Sequence, residues 1–496
     1  MAIIIDHLND DIFLIILSYL EKRDLCALSL TCRHFHMIAF PGIWAVFSTN
    51  RVLSLSWWHE NIGTNARYVR EVAIHVSDQP STLPDVLFAT KNIRSLEISY
   101  LTLISGEPRL SIALAELREL RTLSCNWVED KMLPTIQNIP SPNLTSLSLG
   151  YEGRTNFCAH IPSLISAIRS FPRLYTLILG FLKPTTSVDI ASYPPFTSIR
   201  QLTLNRVTEP ATDLVYLCPN VTLLKLGFDH LRKEDPNESR PRWRPSPLPQ
   251  LTLADSRMEA RDSMVSLLEQ RDLHATHVRL SMLWGFTQDG ISFTKGEPAS
   301  RLPRVLAALK PRSLYLEVLA TWGSAKLSDC TGTLWQEVAA AAPHLRALVL
   351  RVASFNDDDT ENERPGRWMP PNALVAELAR LPLVCVHLKA DPELSDWKSG
   401  DSDRQRLHAL AVFPGKLAAA IPTLRVVGVS DGCRHEQGVR STRWWRVERG
   451  DGDGASRWLV ELWREDGERA LRLVQSEAFC MSDLDDIYSE KCRYVP

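Results

Sequence analysis

The sequence predicts an α/β protein in which three short N-terminal helices precede a curved solenoid with a parallel sheet, closed by a small antiparallel C-terminal meander. Three observations support this fold class. An apolar run at 12–17 has no polar face, a short apolar phrase recurs through most of the chain, and Asp-Gly pairs separate strand-like runs near the C-terminus. The predicted boundaries are 1–48, 49–435 and 436–496.

The first helix is predicted from two acidic residues that precede a continuous apolar run. Asp10 and Asp11 stand where a helix start favours acceptor side chains and negative charge. The run 12–17 is apolar all round, and a helix of that kind has to be buried on every side. A module of about 40 residues covers only part of such a helix. The part of the helix surface that stays uncovered predicts an interaction surface.

Two further helices are expected before residue 48. The charged turn at 21–23 ends the first helix, and Asp24 is expected to cap a second helix that carries Leu25 and Leu28.

The third helix is predicted over 33–39. The Pro41-Gly42 pair is expected to close it, and Trp44 is expected to pack back onto the helices as an apolar lid.

Residues 8–47 resemble an F-box, the helical module that docks a substrate receptor onto the Skp adaptor of a cullin–RING ubiquitin ligase. The family pattern is Leu-Pro, an Ile–Leu helix, a charged turn ending Asp-Leu, a Cys-Arg pair and a Trp. The sequence departs from it at Asn9, where the family usually has Pro. The positions that match are Leu8, Ile12, Ile16, Leu17, Leu20, Asp24, Leu25, Leu28, Cys32, Arg33, Phe35 and Trp44.

The resemblance implies a set of adaptor-binding residues and a chain that selects what is ubiquitinated but catalyses nothing. The alternative is a plain helical hairpin that caps the following domain. The implied adaptor-binding residues are Leu8, Asn9, Asp11, Ile12, Ile16, Leu17, Leu20, Leu25, Leu28, Cys32, Phe35 and Trp44.

The recurring phrase has the form apolar-x-x-apolar-x-apolar, and its last two positions alternate like one face of a strand. The spacing is roughly 22–30 residues at first and roughly 32–40 later. The copies begin at Val69, Ile93, Leu120, Leu144, Leu174, Ile199, Val221, Leu248, Ala275, Leu314, Leu345, Leu383 and Leu424. Helical apolar spacing predicts helices at 161–171, 258–268, 301–309, 334–342 and 373–381.

The phrase resembles a degenerate leucine-rich repeat. A strand and a helix cannot bury their own apolar face, whereas stacked copies can. The Asn or Cys that normally follows the strand is absent from nearly every copy, and Leu101, Val128, Leu182 and Val207 stand there instead. An ordinary α/β domain with parallel strands is the alternative.

The C-terminal meander is predicted from three strand-like runs, 444–448, 458–463 and 470–474. The Asp-Gly pairs at 451–454 and 466–467 are hairpin signals between them. The tryptophans in these runs fit core packing or a binding hot spot. They are Trp444, Trp445, Trp458 and Trp463.

Composition narrows the function classes. The net charge of −2 gives no nucleic-acid footprint, and the ten Cys form no CxxC pair, which fits a reducing compartment. The run 12–17 is too short to span a bilayer, and no signal peptide is recognisable. We therefore expect a protein of the cytoplasm or nucleus. We expect it to have no membrane association, no metal and no cofactor. The loops 232–249 and 356–361 are expected to be solvated, although the Arg residues of the first could hold a phosphorylated or acidic substrate.

The resulting hypothesis is a substrate-recognition subunit that binds a Skp-type adaptor and, through it, a cullin scaffold. The solenoid would hold a protein substrate at residues that the sequence does not identify. The alternatives are a non-catalytic interaction scaffold that binds the adaptor without ubiquitin transfer, and an enzyme with an unrecognised site in the C-terminal half. No GxSxG, P-loop, HExxH or GxGxxG motif occurs in a supporting context.

Overall fold

A computed structural model describes the chain in two compact units, residues 1–221 and 222–496. The described residues are 10–49, 55–75, 82–99, 107–151, 160–182, 192–207, 209–228, 248–255, 268–269, 273–282, 286–287, 290–291, 301–321, 331–355, 372–392, 401–431, 441–450 and 457–487. The predicted loops at 356–361 and 451–454 lie outside them, as do nearly all of the predicted loop 232–249 and helix 258–268.

The first unit begins with the helices α1 (Asp10–Leu17), α2 (Lys22–Ser29) and α3 (Arg33–Ile43). The prediction of N-terminal helices is confirmed, but two of its details are wrong. Glu21, not Asp24, is the N-cap of α2, and its side chain makes no capping bond. Asp24 lies within the first turn instead, where its charge complements the helix dipole.

The Pro41-Gly42 pair does not close α3 either, because both residues lie inside the helix and Trp44 is its C-cap. Pro41 stands in the last turn, where its missing N–H removes a bond close to the helix end and leaves the preceding turns intact.

Parallel strands follow in sequence order, with helices between most of them. The register places the same repeat position side by side, so that Val72 pairs with Leu96 and Leu96 with Leu123. The strands are β1 (Val46–Ser48), β2 (Glu71–Ile74), β3 (Ser95–Ile98), β4 (Thr122–Val128), β5 (Ser146–Tyr151), β6 (Thr176–Gly180) and β7 (Gln201–Val207). The helices are α4 (Leu55–Ile62), α5 (Leu83–Ala89), α6 (Pro108–Ala115), α7 (Leu133–Gln137), α8 (Ile161–Arg169) and α9 (Glu209–Thr212).

The second unit continues the same pattern and ends on two antiparallel strands. Its strands are β8 (Leu223–Phe228), β9 (Leu248–Asp255), β10 (Ala275–Met282), β11 (Phe286–Thr287), β12 (Gly290–Ile291), β13 (Ser313–Thr321), β14 (Ala347–Phe355), β15 (Cys385–Pro392), β16 (Val426–Asp431), β17 (Ser441–Arg449) and β18 (Arg457–Leu462). Its helices are α10 (Arg301–Leu309), α11 (Thr331–Ala341), α12 (Asn372–Leu378), α13 (Asp401–Ala420) and α14 (Arg464–Gln475). From β8 to β16 the pairing is parallel apart from the small antiparallel β11–β12 pair, and β17 and β18 pair antiparallel.

The repeat prediction is confirmed position by position. The alternating apolar residues of each predicted copy lie in a strand and are buried, from Val72 and Ile74 in β2 to Val427 and Val429 in β16. The predicted helices within the described ranges also form, although most of their ends differ by one to several residues.

Three of the apolar residues that replace the usual Asn are each preceded by a residue whose backbone is in the left-handed conformation. The φ angles are 58° at Trp127, 56° at Phe181 and 52° at Arg206. The residues that follow them, Val128, Leu182 and Val207, are fully buried. A positive φ strains a non-glycine residue, so burial of the next side chain holds this turn where an Asn would otherwise bond the backbone. Leu101 lies outside the described residues.

The C-terminal meander is confirmed for β17 and β18 but wrong for 470–474, which lie in the helix α14. Gly467, Ala470 and Val474 share one buried face of that helix. They pack with Trp444 of β17. Helical spacing, not strand alternation, therefore determines the structure after the Asp-Gly pair. Of the four tryptophans in the predicted meander, Trp444 and Trp445 are core, whereas Trp458 is 44% and Trp463 68% exposed.

Replacing Gly428 with alanine should destabilise the second unit. The new Cβ would lie 2.6 Å from Cζ3 of Trp444, which is fully buried and has no room to move. We expect a loss of about 1–3 kcal/mol in the free energy of unfolding, measured by chemical denaturation. Gly415→Ala is the control, because nothing lies within 4 Å of its added Cβ and Ala favours the α13 helix. Equal effects of the two substitutions would contradict this packing.

The second unit should also lose stability as the pH falls below neutrality. Burial, with the nearby charge of Lys389, lowers the pKa of His387 from 6.5 to about 3, and burial lowers that of His277 to about 4. Both residues therefore stay neutral in the folded state while they bind protons in the unfolded state. Their contribution to stability is fully present above the unfolded pKa and falls as the pH drops from about 7 to about 5. Chemical denaturation across that range should show a shallower slope for His387→Asn, and an unchanged slope would contradict the assignment.

Candidate functional site

The helices α1, α2 and α3 enclose a small core of their own. Leu17, Leu25 and Ala39 are buried in it, and Phe13 meets Phe35 edge to face with ring centroids 5.5 Å apart. The partly buried side chains that pack around the core are Leu20, Leu28, Ile38 and Ile43. These contacts fix the three helices against one another.

Short polar side chains terminate the helices. The hydroxyl of Ser18 donates to the carbonyl of Ile15 at 2.6 Å, and that of Thr31 donates to the carbonyl of Leu28 at 2.7 Å. At the start of α3 the Cys32 sulfur accepts the N–H of Phe35 at 3.5 Å. The Cys at this position therefore serves as a helix cap.

Several large apolar side chains of the three helices are exposed, most of them on α1. Around α1, Ile12 is 45%, Leu14 52%, Ile15 59% and Ile16 43% exposed, although all four have large hydrophobic side chains. We call these residues, together with Leu30 of the α2 C-cap and Met37 of α3, the outer face; Leu30 is 86% and Met37 66% exposed. Fully burying one such side chain is worth about 1.5–3 kcal/mol, so a partner that covers the outer face would gain substantial free energy.

An aromatic cluster fixes the three helices to the start of the sheet. Trp44, the C-cap of α3, packs edge to face on Trp58 of α4 with centroids 5.8 Å apart, and Phe47 of β1 lies 4.3 Å from the same ring. Phe40 of α3 also contacts Tyr68 at 6.0 Å. Trp44 was expected to pack back onto the three helices, but its ring contacts are with Phe40 of α3, at 6.2 Å, and with Trp58 of α4. These ring contacts join α3 to α4, to β1 and to the turn before β2.

The structure places the predicted adaptor-binding residues in three environments. Asp11, Ile12, Ile16 and Cys32 are exposed, and Leu20, Leu28, Phe35 and Trp44 are partly buried. Leu17 and Leu25 are buried within the helices, where they support the surface from beneath. Leu8 and Asn9 lie outside the described residues.

Sequence reasoning missed four residues of the outer face. Leu14 and Ile15 belong to the all-round apolar run, so their exposure could have been inferred from the size of the module. Leu30 and Met37 carried no signal, because a single apolar residue at a helix end or on a short helix is ordinary.

The strand faces opposite the helices vary in chemistry from strand to strand. In β4 to β7 they carry small uncharged polar residues such as Ser124, Ser148 and Thr203. In the second unit Arg279 stacks on Tyr315 at 4.4 Å, and Arg351 donates to Glu317 at 2.6 Å.

No group of three or more His, Cys, Asp or Glu in the described ranges is placed to hold a metal ion. No described helix is both long and apolar enough to cross a membrane.

The comparisons with known proteins agree with the N-terminal geometry. The F-box-like family matches residues 5–49, so this segment is an F-box-like domain. No curated protein matches the chain.

Among solved structures, a Bacteroides fragilis protein is 11% identical with a TM-score of 0.30, covering 63% of this chain and 78% of its own. An internalin from Listeria monocytogenes is 14% identical with a TM-score of 0.23, covering 68% of this chain and 69% of its own. The repeat architecture described above therefore rests on the strand pairing within this chain and not on these two structures.

Truncation should separate the core of the F-box-like domain from its outer face. Leu25→Ala removes a buried side chain and should cost about 2–5 kcal/mol, whereas Ile16→Ala should cost about 0.5 kcal/mol or less. Amide hydrogen exchange across residues 22–43 should accelerate in the first variant only. Equal acceleration in both would contradict the distinction between core and surface.

Proposed function

We propose that this chain is a substrate-recognition subunit of an SCF-type cullin–RING ubiquitin ligase. It would bind a Skp-type adaptor through the outer face of its F-box-like domain, and through the adaptor a cullin scaffold. A protein substrate would bind the repeat region. The chain would be non-catalytic and would act in the cytoplasm or nucleus.

The outer face carries this proposal. A family match at residues 5–49 coincides with a helix, α1, whose apolar residues are only partly covered by the chain itself. Contiguous exposed apolar residues of this kind mark interaction surfaces. A helical cap that served only the following domain would have no need of Ile12, Ile15 and Ile16 on its outer side.

The attachment of the F-box-like domain to the sheet supports a receptor role. Ubiquitin transfer by such a ligase depends on holding the substrate near the loaded conjugating enzyme, which is a proximity effect. The cluster of Trp44, Phe47 and Trp58 packs the end of the domain directly against the first strand. A substrate bound to the first strands would keep a defined position relative to the adaptor.

The alternative is an interaction scaffold that binds the adaptor without ubiquitin transfer. The same outer face supports it, because adaptor binding is common to both functions. Ubiquitin conjugates formed on a captured partner in a reconstituted ligase would favour the receptor, and their absence in spite of adaptor binding would favour the scaffold.

Ile16→Asp should abolish co-purification with a Skp-type adaptor. An unpaired carboxylate at the centre of an apolar interface loses its hydration without compensation. Ile112→Asp is the matched control, because Ile112 is 59% exposed on α6, outside the F-box-like domain. Loss of binding in Ile16→Asp alone supports the proposal. Failure of the wild type to bind, or unimpaired binding by Ile16→Asp, would contradict it.

A further inference from the structure

Two rows of side chains stand at the N-terminal ends of three neighbouring strands in the second unit. The parallel register aligns Thr276, Arg312 and Arg346 at the starts of β10, β13 and β14. The N–H of Arg312 donates to the carbonyl of Thr276 at 2.9 Å, and that of Arg346 to the carbonyl of Arg312 at 2.8 Å. Two residues earlier in each copy stand His274, Lys310 and His344.

These rows line a cleft of about 530 Å³. Its other wall is formed by Glu477 and Phe479, which follow α14. Glu477 supplies the one carboxylate among the described residues that line the cleft, against three cationic side chains and two imidazoles. The cleft is therefore basic, although the whole chain carries a net charge of −2.

The hydrogen-bond partners of the two arginines are carbonyl oxygens. Arg312 donates to the carbonyl of Glu477 at 2.5 Å, and Arg346 donates to those of Val474, at 2.7 Å, and Ser476. Within the described ranges neither guanidinium forms an ion pair with a carboxylate. Carbonyl oxygens satisfy N–H groups but do not neutralise charge.

The two like charges oppose each other across adjacent strands. Burial and then the charge of Arg312 lower the pKa of Arg346. Like charges at neighbouring cross-strand positions are destabilising. An anion that bridges them would remove this cost.

The same row in the first unit serves a different purpose. There Arg70 donates to the carbonyl of Arg67 at 2.9 Å, within its own loop. Arg200 donates to the carbonyl of Thr197 at 3.0 Å and, in the next copy, to that of Asn220 at 3.3 Å. These arginines close the turn that precedes a strand. Arg312 and Arg346 instead bond a distant segment of chain, and a cleft remains beside them.

We propose that this cleft binds a phosphate monoester. Such a group carries about −1.5 to −2 charges and three acceptor oxygens at neutral pH. The guanidinium N–H groups of Arg312 and Arg346 that do not bond carbonyls would bind it with charge-assisted hydrogen bonds. The ammonium of Lys310 would add a third cation, and Phe479, stacked 4.9 Å from the Arg346 guanidinium, holds that side chain in place. The cleft also has room for the group that carries the phosphate.

The phosphate could come from a phosphorylated side chain or from a small organic phosphate. The first source rests on the proposed receptor function, because it makes the ligand part of a protein substrate. Binding itself needs no adaptor and can be measured on the full chain alone.

Isothermal titration calorimetry tests the site with three probes: O-phospho-L-serine, a Gly/Ala-flanked phosphoserine peptide and the same peptide with serine. The wild type should bind at least one phosphorylated probe and not the serine peptide. Lys310→Glu and His344→Glu should each weaken that binding about tenfold or more, because they reverse or add charge without touching the arginine–carbonyl bonds. Lys225→Glu, an exposed lysine of β8, makes the same charge change outside the cleft and should have little effect.

The outcomes are distinct. Tighter binding of the phosphopeptide identifies a phosphorylated protein as the source, and tighter binding of phosphoserine identifies a small compound. No binding of either probe, or equal loss in Lys225→Glu, would overturn the site. Adaptor co-purification is independent of each of these results, so failure of phosphate binding leaves the proposed function intact.

Discussion

The structure depends on the burial of two alternating apolar residues in each strand copy, which no copy can achieve alone. Leu147 and Leu149 of β5, for example, are fully buried only because neighbouring copies and the helices cover them. Each repeat is therefore stabilised by its contacts with the neighbouring repeats. The last copy needs a different cover, and β17, β18 and α14 supply it, with Trp444 packed against both Gly428 and Gly467.

The F-box-like domain meets the same requirement incompletely. Its three helices bury Leu17, Leu25 and Ala39, but they are too short and too few to cover the outer side of α1. An apolar surface is left exposed there. The exposed apolar surface lowers the stability of the domain on its own. The same surface favours the binding of a partner, because covering it removes apolar groups from water.

The sequence was sufficient to predict the strands because their pattern is local: each phrase places its apolar pair in a strand, and each pair is buried. It was insufficient where a distant contact decides the structure. The segment 470–474 follows an Asp-Gly pair that suits a hairpin, but burial of Ala470 and Val474 with Trp444 selects a helix. Leu25 matched a family position but gave no sign that it belongs to the core, whereas Met37 gave no sign that it is exposed. The left-handed turns at Phe181 and Arg206 were equally hidden, because nothing in those residue types predicts a positive φ.

A repeat protein can change the chemistry of one position without changing its fold. The residue before each strand has a constant backbone role, since its N–H donates to the preceding copy at Arg94, Arg121 and Arg346 alike. Its side chain is free to vary. In the first unit Arg70 bonds its own turn, and Arg200 bonds its own turn and the next one. In the second unit Arg312 and Arg346 hold the end of α14 and the residues that follow it beside a basic cleft. Because the backbone fixes the spacing of neighbouring copies, two such arginines are held at a constant separation, and a ligand that requires two cations at that separation finds them already in place.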